Sequence, residues 1–178
     1  MEPVEINAGG YYLRQLRADD LMDDRPALIE AFADPVHARA IVNYDVRDFD
    51  QAAEYVEQRA REWADDERCS WAVAEPTTGA LLGEVGLKNL DLSAGTTQVA
   101  LWVHPKVRGR GIAVTALSAA LRFGFGALDL RTVRYRHHPD NHASAAVARR
   151  CGFTRAGDAT DPTLPDQRLI EWIRTDRY

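Results

Sequence analysis

A short basic loop with two glycines is the part of the sequence best suited to chemistry. The stretch LWVHPKVRGRGIAVTALSAAL, residues 101–121, has the pattern of an apolar strand, a loop with Gly109 and Gly111, and an Ala-rich helix. Glycines let the main chain approach a ligand closely, and the unpaired N–H groups of a helix start favour an anion. Arg108 and Arg110 add forked cationic donors. The loop therefore predicts a phosphate or pyrophosphate site.

The residues around the loop separate three kinds of phosphate site. A Walker loop needs Gly-Lys-Ser/Thr, and it is excluded because Ile112, Ala113 and Val114 follow Gly111. A dinucleotide fingerprint needs a third small residue and an acidic residue about 20 positions later, after the next strand. Val114 occupies the first of these positions, and Asp129 precedes the next strand, so this pattern fits poorly. From this loop alone, the alternative interpretation is a plain strand-to-helix turn that binds no ligand.

Together with a second motif downstream, the loop resembles the GNAT superfamily of N-acetyltransferases. Arg108, Gly111 and Ala113 match the superfamily pattern Q/R-x-x-G-x-G/A. The stretch NHASAAVARRCGF, residues 141–153, is similar to the N-x-x-S/A helix that ends in Gly-Phe in this superfamily. The resemblance covers nearly the whole chain, and YYLRQLRADDL, GALLGEVGL and HHPDNHAS resemble the Rim-type branch of ribosomal-protein N-terminal acetyltransferases.

This resemblance implies acetyl-CoA as the acyl donor, bound where the motif strand diverges from the parallel strand that follows. By analogy, the loop amides bind the pyrophosphate, the strand pairs with the pantetheine arm, and a strand N–H near Trp102 or Val103 polarises the thioester carbonyl. Asn141 either contacts the pantetheine arm or only caps its helix. The predicted CoA-binding residues are Leu101, Trp102, Val103, Arg108, Gly109, Arg110, Gly111, Ile112, Ala113 and Asn141.

The implied reaction is direct attack of an amine on the thioester, which needs a proton acceptor and a proton donor for the leaving thiolate. Many superfamily members place a thiol-protonating Tyr where this chain has Ala148. Ser144, one turn earlier, is therefore the predicted acid, with a first-turn helix role as the alternative. Glu84 is the predicted base, and direct loss of the proton to water stays open. Weaker carboxylate candidates are Glu75, Asp158 and Asp161, and Gln98 stands where relatives often carry Glu.

Metal and cysteine chemistry are not predicted. His138 and His142 are four residues apart, but Pro139 prevents a continuous helix between them, and no carboxylate lies at a ligand spacing. Cys69 and Cys151 are too few for a disulfide framework, and no motif places a His beside Cys151. Four aromatic residues are predicted to be core, with one of them, Trp102, also able to touch substrate: Trp63, Trp71, Trp102 and Phe153.

Composition excludes several classes of partner. The chain has 178 residues and a formal net charge of -5, which argues against a general nucleic-acid binder. No segment approaches the roughly 20 apolar residues of a membrane span, so a soluble, cytoplasmic protein without a membrane partner is expected. The expected partner is an amine acceptor, and a homodimer is compatible with the sequence.

The order of predicted elements is that of an α+β (mixed α/β) fold in one domain, residues 1–178. A strand at 11–17 precedes three helical segments, the first capped by Asp19 or Asp20 and the last amphipathic. A three-stranded meander follows, then the glycine loop and a helix at 109–128. The rest of the chain is predicted to form a strand, a helix at 141–150 and two final strands, with residues 157–166 as an exposed loop between these last two strands. The GNAT resemblance implies a mostly antiparallel mixed sheet of about seven strands with a splayed central parallel pair.

The sequence thus predicts an acetyl-CoA-dependent N-acetyltransferase whose acceptor is a protein N-terminus or a small-molecule amine. Two alternatives remain on the sequence alone. One keeps the fold but uses another acyl donor such as succinyl-CoA, and the other is a catalytically inactive CoA-binding module. Nothing in the sequence names the acceptor.

Overall fold

The computed structural model describes residues 1–40, 44–161 and 164–176. Its strands form one sheet in the order β1-β2-β3-β4-β5-β6-β8-β7, in which only the β5–β6 pair is parallel among the described pairings. The strands are β1 (Ile6–Asn7), β2 (Tyr12–Arg14), β3 (Arg68–Ala74), β4 (Leu81–Asp91), β5 (Thr96–Val103), β6 (Thr132–His137), β7 (Thr154–Asp161) and β8 (Leu164–Thr175). The helices are α1 (Arg25–Phe32), α2 (Pro35–Ala40), α3 (Phe49–Ala64), α4 (Ile112–Ala127) and α5 (His142–Arg150).

The predicted α+β class and the mixed, mostly antiparallel sheet are confirmed. Within the described residues the sheet has eight strands rather than about seven, because a two-residue edge strand pairs Ile6 with Leu13. Two residues are too few to show the alternating pattern of a strand. This strand forms because it pairs with β2, and the sequence alone does not reveal that neighbour. No described helix is both long and apolar enough to cross a membrane.

The first helix starts later than predicted. Its N-cap position is Asp24 rather than Asp19 or Asp20, and Pro26 lies in the first turn, where its missing N–H costs nothing. The Asp24 side chain does not cap the helix, because both of its oxygens accept hydrogen bonds from the Arg14 guanidinium at 2.8 and 2.9 Å. This buried ion pair fixes the start of α1 against β2.

The predicted exposed loop at residues 157–166 is wrong. Strand β7 runs to Asp161 and β8 begins at Leu164, so most of the segment belongs to a long hairpin, with Pro162 and Thr163 outside the described residues. Pro, Gly and Asp disfavour strands, but pairing with β8 overrides this preference. Register shifts between Arg155 and Gly157 and between Ala159 and Asp161 accommodate the irregular residues.

Helices cover both faces of the central sheet and form two apolar cores. On one face, α4 contributes Leu117 and Leu121 to a core with the β4 residues Val85 and Leu87. On the other face, α1 and α3 form a second core in which Leu28, Tyr55, Ala72 and Trp102 are buried. The predicted core positions of Trp63, Trp71 and Phe153 are confirmed, since each is at most 5% exposed. The central strands are therefore held rigidly between two layers.

The parallel pair β5–β6 is paired over a short stretch only. Thr96, Thr97 and Gln98 pair with Thr132, Val133 and Arg134. Both strands lie within the described residues, and they form no further pair with each other beyond Gln98 and Arg134. Beyond this point β5 stays paired with β4 up to Val103, while β6 stays paired with β8 up to His137. The two strands thus diverge, as the predicted splayed pair requires, and a gap opens above Gln98.

Replacing Gly83 by Ala should destabilise the β4–β5 pair. A Cβ built on Gly83 would lie 2.4 Å from the Trp102 carbonyl oxygen, so the strands must move apart at the edge of the gap. We expect the free energy of unfolding in urea to fall by about 2 kcal/mol. Gly126→Ala in α4 is the control, because its Cβ meets no atom within 4 Å and should stabilise the helix by roughly 0.5–1 kcal/mol. Equal unfolding free energies for wild type and Gly83→Ala would contradict this description.

Candidate active site

A cavity of about 350 Å³ occupies the gap between β5 and β6. It extends from the glycine loop and the start of α4 to α5 on one face of the sheet, and reaches α2 on the other. The ten residues predicted to bind CoA all border it, as does Ser144. Glu84, the predicted base, does not. The divergence of the two strands therefore collects residues from six segments around one space: α2, β5, the glycine loop, α4, β6 and α5.

The glycine loop leaves open space where a ligand can approach. Gly109 and Gly111 adopt φ angles of +81° and +77°, and a Cβ built on either would meet no atom within 4 Å. The first helical hydrogen bond of α4 runs from the Thr115 N–H to the Gly111 carbonyl at 3.2 Å, so the preceding amides of residues 112–114 have no partner within the helix. Such a loop fits the pyrophosphate of CoA, because free amides and a helix start both stabilise negative charge.

The two loop arginines have different surroundings. Arg108 donates from Nη2 to the Asp34 carboxylate at 2.5 Å and from Nε to the Val103 carbonyl at 3.3 Å. Burial alone would raise the pKa of Asp34, but the Arg108 guanidinium outweighs it and the net pKa is lowered. Arg110 is exposed, and its carbonyl accepts a hydrogen bond from the Tyr11 hydroxyl. Arg108 thus ties the loop to the segment between α1 and α2, while the side chain of Arg110 faces solvent.

The edge of β5 offers backbone groups to the gap. The His104 N–H donates to the Leu82 carbonyl of β4 at 2.8 Å. Since backbone polar groups alternate sides along a strand, those of Trp102 also point towards β4, whereas those of Leu101 and Val103 point into the gap. The N–H groups of Trp102 and Val103 are both expected near the thioester. Of these two, the Val103 N–H therefore points to the cavity.

The opposite wall brings a cap, a serine and a tyrosine together. Asn141 accepts a hydrogen bond from the Ser144 N–H at 2.9 Å, so it is a helix cap, and it also borders the cavity. Tyr135 on β6 is 5% exposed and borders the cavity beside Ser144. Burial raises the pKa of Tyr135 to about 12 although its side-chain interaction with Ser144 opposes the shift. At neutral pH the phenol therefore keeps its proton.

Glu84 lies in a buried ion cluster outside the cavity. It is 1% exposed and accepts hydrogen bonds from Tyr55 at 2.5 Å, Arg68 at 3.0 Å and the Trp102 indole at 3.1 Å. Arg59 Nε lies 3.3 Å from its Oε1. Desolvation would raise the pKa of Glu84, but the two guanidinium groups and the hydroxyl lower it on balance. A carboxylate with both oxygens engaged and a lowered pKa suits structural support better than proton abstraction.

The weaker carboxylate candidates lie elsewhere. Glu75 accepts hydrogen bonds from Thr77 and Thr78 in the turn between β3 and β4. Asp158 on β7 pairs with Arg168 at 2.8 Å, and the side chain of Asp161 lies outside the described residues. No described residue that borders the cavity is Asp or Glu.

His137 and the two cysteines are buried, whereas His138 and His142 are exposed. The His137 ring accepts a hydrogen bond from the Trp172 indole at 2.8 Å and is buried. Among the described residues, no group of three or more metal-ligating side chains is close enough to hold an ion. Burial raises the pKa of both Cys69 and Cys151, which disfavours their reactive thiolates.

Tyr135 and His37 border the cavity but are not among the residues predicted from the sequence. Tyr135 carried a usable signal, since it alternates with Val133 and His137 on the buried face of a strand next to the motif. His37 carried none, because PVHARA is an ordinary helical segment and only the tertiary fold brings α2 to the gap.

Glu84→Gln should destabilise the protein strongly. The substitution keeps the shape but removes the charge that compensates Arg59 and Arg68, and uncompensated buried charge costs about 3–5 kcal/mol. The control is Glu57→Gln, whose carboxylate is exposed in a pair with Arg61 and should leave urea unfolding nearly unchanged. The advantage of wild type over Glu84→Gln should disappear as the pH falls through the lowered pKa of Glu84, because protonation removes the same charge. A variant as stable as wild type at neutral pH would refute this role.

Comparison with known proteins identifies the family. The acetyltransferase (GNAT) domain family matches residues 11–154. YdaF of Bacillus subtilis (strain 168), provisionally named a ribosomal N-acetyltransferase, is 31% identical over 83 residues, which are 47% of this chain and only 45% of that protein. A Vibrio cholerae structure, provisionally named a ribosomal-protein-serine acetyltransferase, has 22% identity, covers 99% of this chain and 100% of its own, and gives a TM-score of 0.84. RimL, a ribosomal L7/L12 alpha-N-protein acetyltransferase solved with coenzyme A, has 18% identity, covers 97% of this chain and 98% of its own, and gives a TM-score of 0.82.

The likeness to these structures confirms the GNAT fold. The chain belongs to the GNAT acetyltransferase domain family, whose match spans residues 11–154.

Proposed function

We propose that the protein is an acetyl-CoA-dependent N-acetyltransferase that acts by direct attack of a primary amine on the thioester in a ternary complex. The observation that carries this proposal is the single cavity in the β5–β6 gap, which joins an open anion loop to two hydroxyl groups. Membership of the GNAT family supports the same chemistry.

Acetyl-CoA supplies the activated acyl group when it is bound. The amides from Arg108 to Ala113 hold its pyrophosphate, supported by the start of α4 and by the open space at Gly109 and Gly111. The backbone groups of Leu101 and the N–H of Val103 face the pantetheine arm, which pairs with β5 as an added strand would, while the Val103 carbonyl accepts from Arg108. The Val103 N–H is then positioned to stabilise charge on the thioester oxygen, as oxyanion-hole donors do.

Ser144 is the proposed proton donor to the leaving thiolate. Its hydroxyl lies on the first turn of α5, held there by the cap from Asn141, and borders the cavity. Tyr135 supplies a second hydroxyl beside it, which replaces the tyrosine missing at Ala148. Since the buried phenol is the favoured form at neutral pH, Tyr135 can pass a proton to Ser144 as Ser144 protonates the thiolate, and the proton that the amine releases to water restores the phenol.

Glu84 is proposed as a positioning residue and not as the base. Its Oε2 holds the Trp102 indole, and Trp102 forms part of the cavity wall. The carboxylate is thereby connected to the site only through this side chain. The amine must lose its proton to another group or to water.

The proposed acceptor is the N-terminal amine of a protein. This follows the names of the relatives, which describe acetyltransferases of ribosomal proteins. The absence of carboxylates among the described cavity residues argues against a polycationic small molecule, which would need several anionic partners.

Ser144→Ala and Tyr135→Phe test the proton donor. Each should lower kcat for acetylation of peptide N-termini by about 100-fold, because a general acid contributes a factor of this order, while CoA affinity stays unchanged. The measurement is release of free thiol from acetyl-CoA, with CoA binding followed by calorimetry. Wild-type kcat in Ser144→Ala would remove this residue from the mechanism.

Gly111→Trp tests the cofactor loop. The indole would fill the open space beside the amides and weaken CoA binding by about 100-fold or more, as loss of the whole anion site would. Gly9→Trp is the matched control, because Gly9 has a similar φ of +73° with open space around it and does not border the cavity. Both variants are checked for folding by thermal unfolding. Equal CoA affinity in the two folded variants would place the pyrophosphate elsewhere.

A further inference from the structure

His37 is a buried side chain whose ring nitrogens lack partners among the described residues. It is 3% exposed, and neither ring nitrogen has a hydrogen-bond partner within the described structure. Buried polar groups are almost always hydrogen-bonded, and leaving one unpaired costs stability. His37 also borders the β5–β6 cavity. An imidazole that borders the cavity and has no partner among the described residues is a candidate for hydrogen bonding to a ligand.

The ring of His37 is held in place by its neighbours. Phe32 contacts it with ring centroids 4.3 Å apart, and the Trp102 ring lies edge-on at 5.2 Å. Trp102 is itself fixed by its indole hydrogen bond to Glu84. The backbone N–H of His37 donates to Asp34, the residue that also binds Arg108 of the glycine loop. The imidazole is therefore pre-positioned and linked to the loop.

The position of His37 assigns it to the acceptor side of the gap. Trp102, its neighbour, belongs to the core of α1 and α3, whereas the glycine loop leads into α4 on the opposite face. Ser144 and Tyr135 border the cavity from the α5 side. A thioester held in the gap would thus have the two hydroxyls on one side and the imidazole on the other.

Burial keeps the His37 ring neutral. Burial, and secondarily the charge of Arg108, lowers the pKa of His37 to about 4. The nearby ionisable groups already have partners: Asp34 pairs with Arg108, Glu84 with Arg59 and Arg68, and His104 lies 3.6 Å from Glu30. A neutral imidazole carries one nitrogen lone pair that accepts a hydrogen bond. Because no described cavity residue is a carboxylate, this lone pair is the side-chain acceptor best suited to an N–H group.

We propose that His37 binds the attacking amine, accepting a hydrogen bond from its N–H through an unpaired ring nitrogen. The inference rests on the proposed acetyl transfer and adds the residue that selects and orients its acceptor. The neutral imidazole accepts a hydrogen bond from the uncharged amine. The lone pair of the amine nitrogen then stays free to attack the thioester. It also does not repel an arriving cation, as a protonated histidine would.

Three substitutions at His37 separate this role from packing. His37→Phe keeps an aromatic ring against Phe32 and Trp102 but removes both nitrogens, while His37→Asn and His37→Gln keep an acceptor near Nδ1 and Nε2 respectively. His37→Phe should retain CoA affinity, melt at the wild-type temperature or above it, and lose about 100-fold in kcat/KM for peptide N-termini. At least one amide variant should recover most of this loss.

The outcomes are distinguishable. An active wild type with equally active His37→Phe overturns the role of His37 and leaves acetyl transfer standing. Equal losses in His37→Phe and both amide variants, with CoA binding intact, also overturn it, because ring shape would then matter rather than the acceptor. No thiol release by wild type with any peptide or amine overturns both proposals.

Discussion

The three-residue parallel pairing of β5 and β6 is the constraint on which the site depends. The strands pair from Thr96 to Gln98 on β5 and then follow different neighbours, β4 for one and β8 for the other. Sheet strands twist relative to their neighbours, and in the described part of the chain no loop or helix fills the wedge between these two. The gap therefore exposes a strand edge within the sheet interior, where a ligand can pair with Leu101 and Val103 while α4 and α5 enclose it.

The gap also brings together residues from opposite faces of the sheet. On one face, the loop and α5 supply amides and hydroxyls; on the other, α2 supplies His37 against Trp102. The buried Glu84 cluster makes this possible because it fixes Trp102 through the indole N–H and ties α3 to β3 and β4 through Arg59 and Arg68. Through these contacts the buried carboxylate holds Trp102, a wall of the cavity, in place.

Much of this arrangement could be predicted from the sequence, because it depends on local patterns. The alternating strands, the positive-φ glycines at 109 and 111 and the Asn141 cap each follow from residue type and spacing. Predictions that depended on three-dimensional neighbours were less successful. Glu84 alternates with apolar residues as a site residue would, but only the fold shows that arginines from α3 and β3 surround it. The β7–β8 hairpin likewise forms through pairing that overrides its Pro and Asp content.

The most direct test of the account is amide chemical-shift mapping of the ¹⁵N-labelled protein during titration with CoA. The account predicts saturable one-to-one binding, with the largest shifts at Gly109, Gly111, Ile112 and Ala113 and further shifts at Leu101 and Val103. A further cavity, of about 670 Å³, borders Arg155 and Arg174, and shifts concentrated there instead would contradict the account. Failure of CoA to bind at all would do the same.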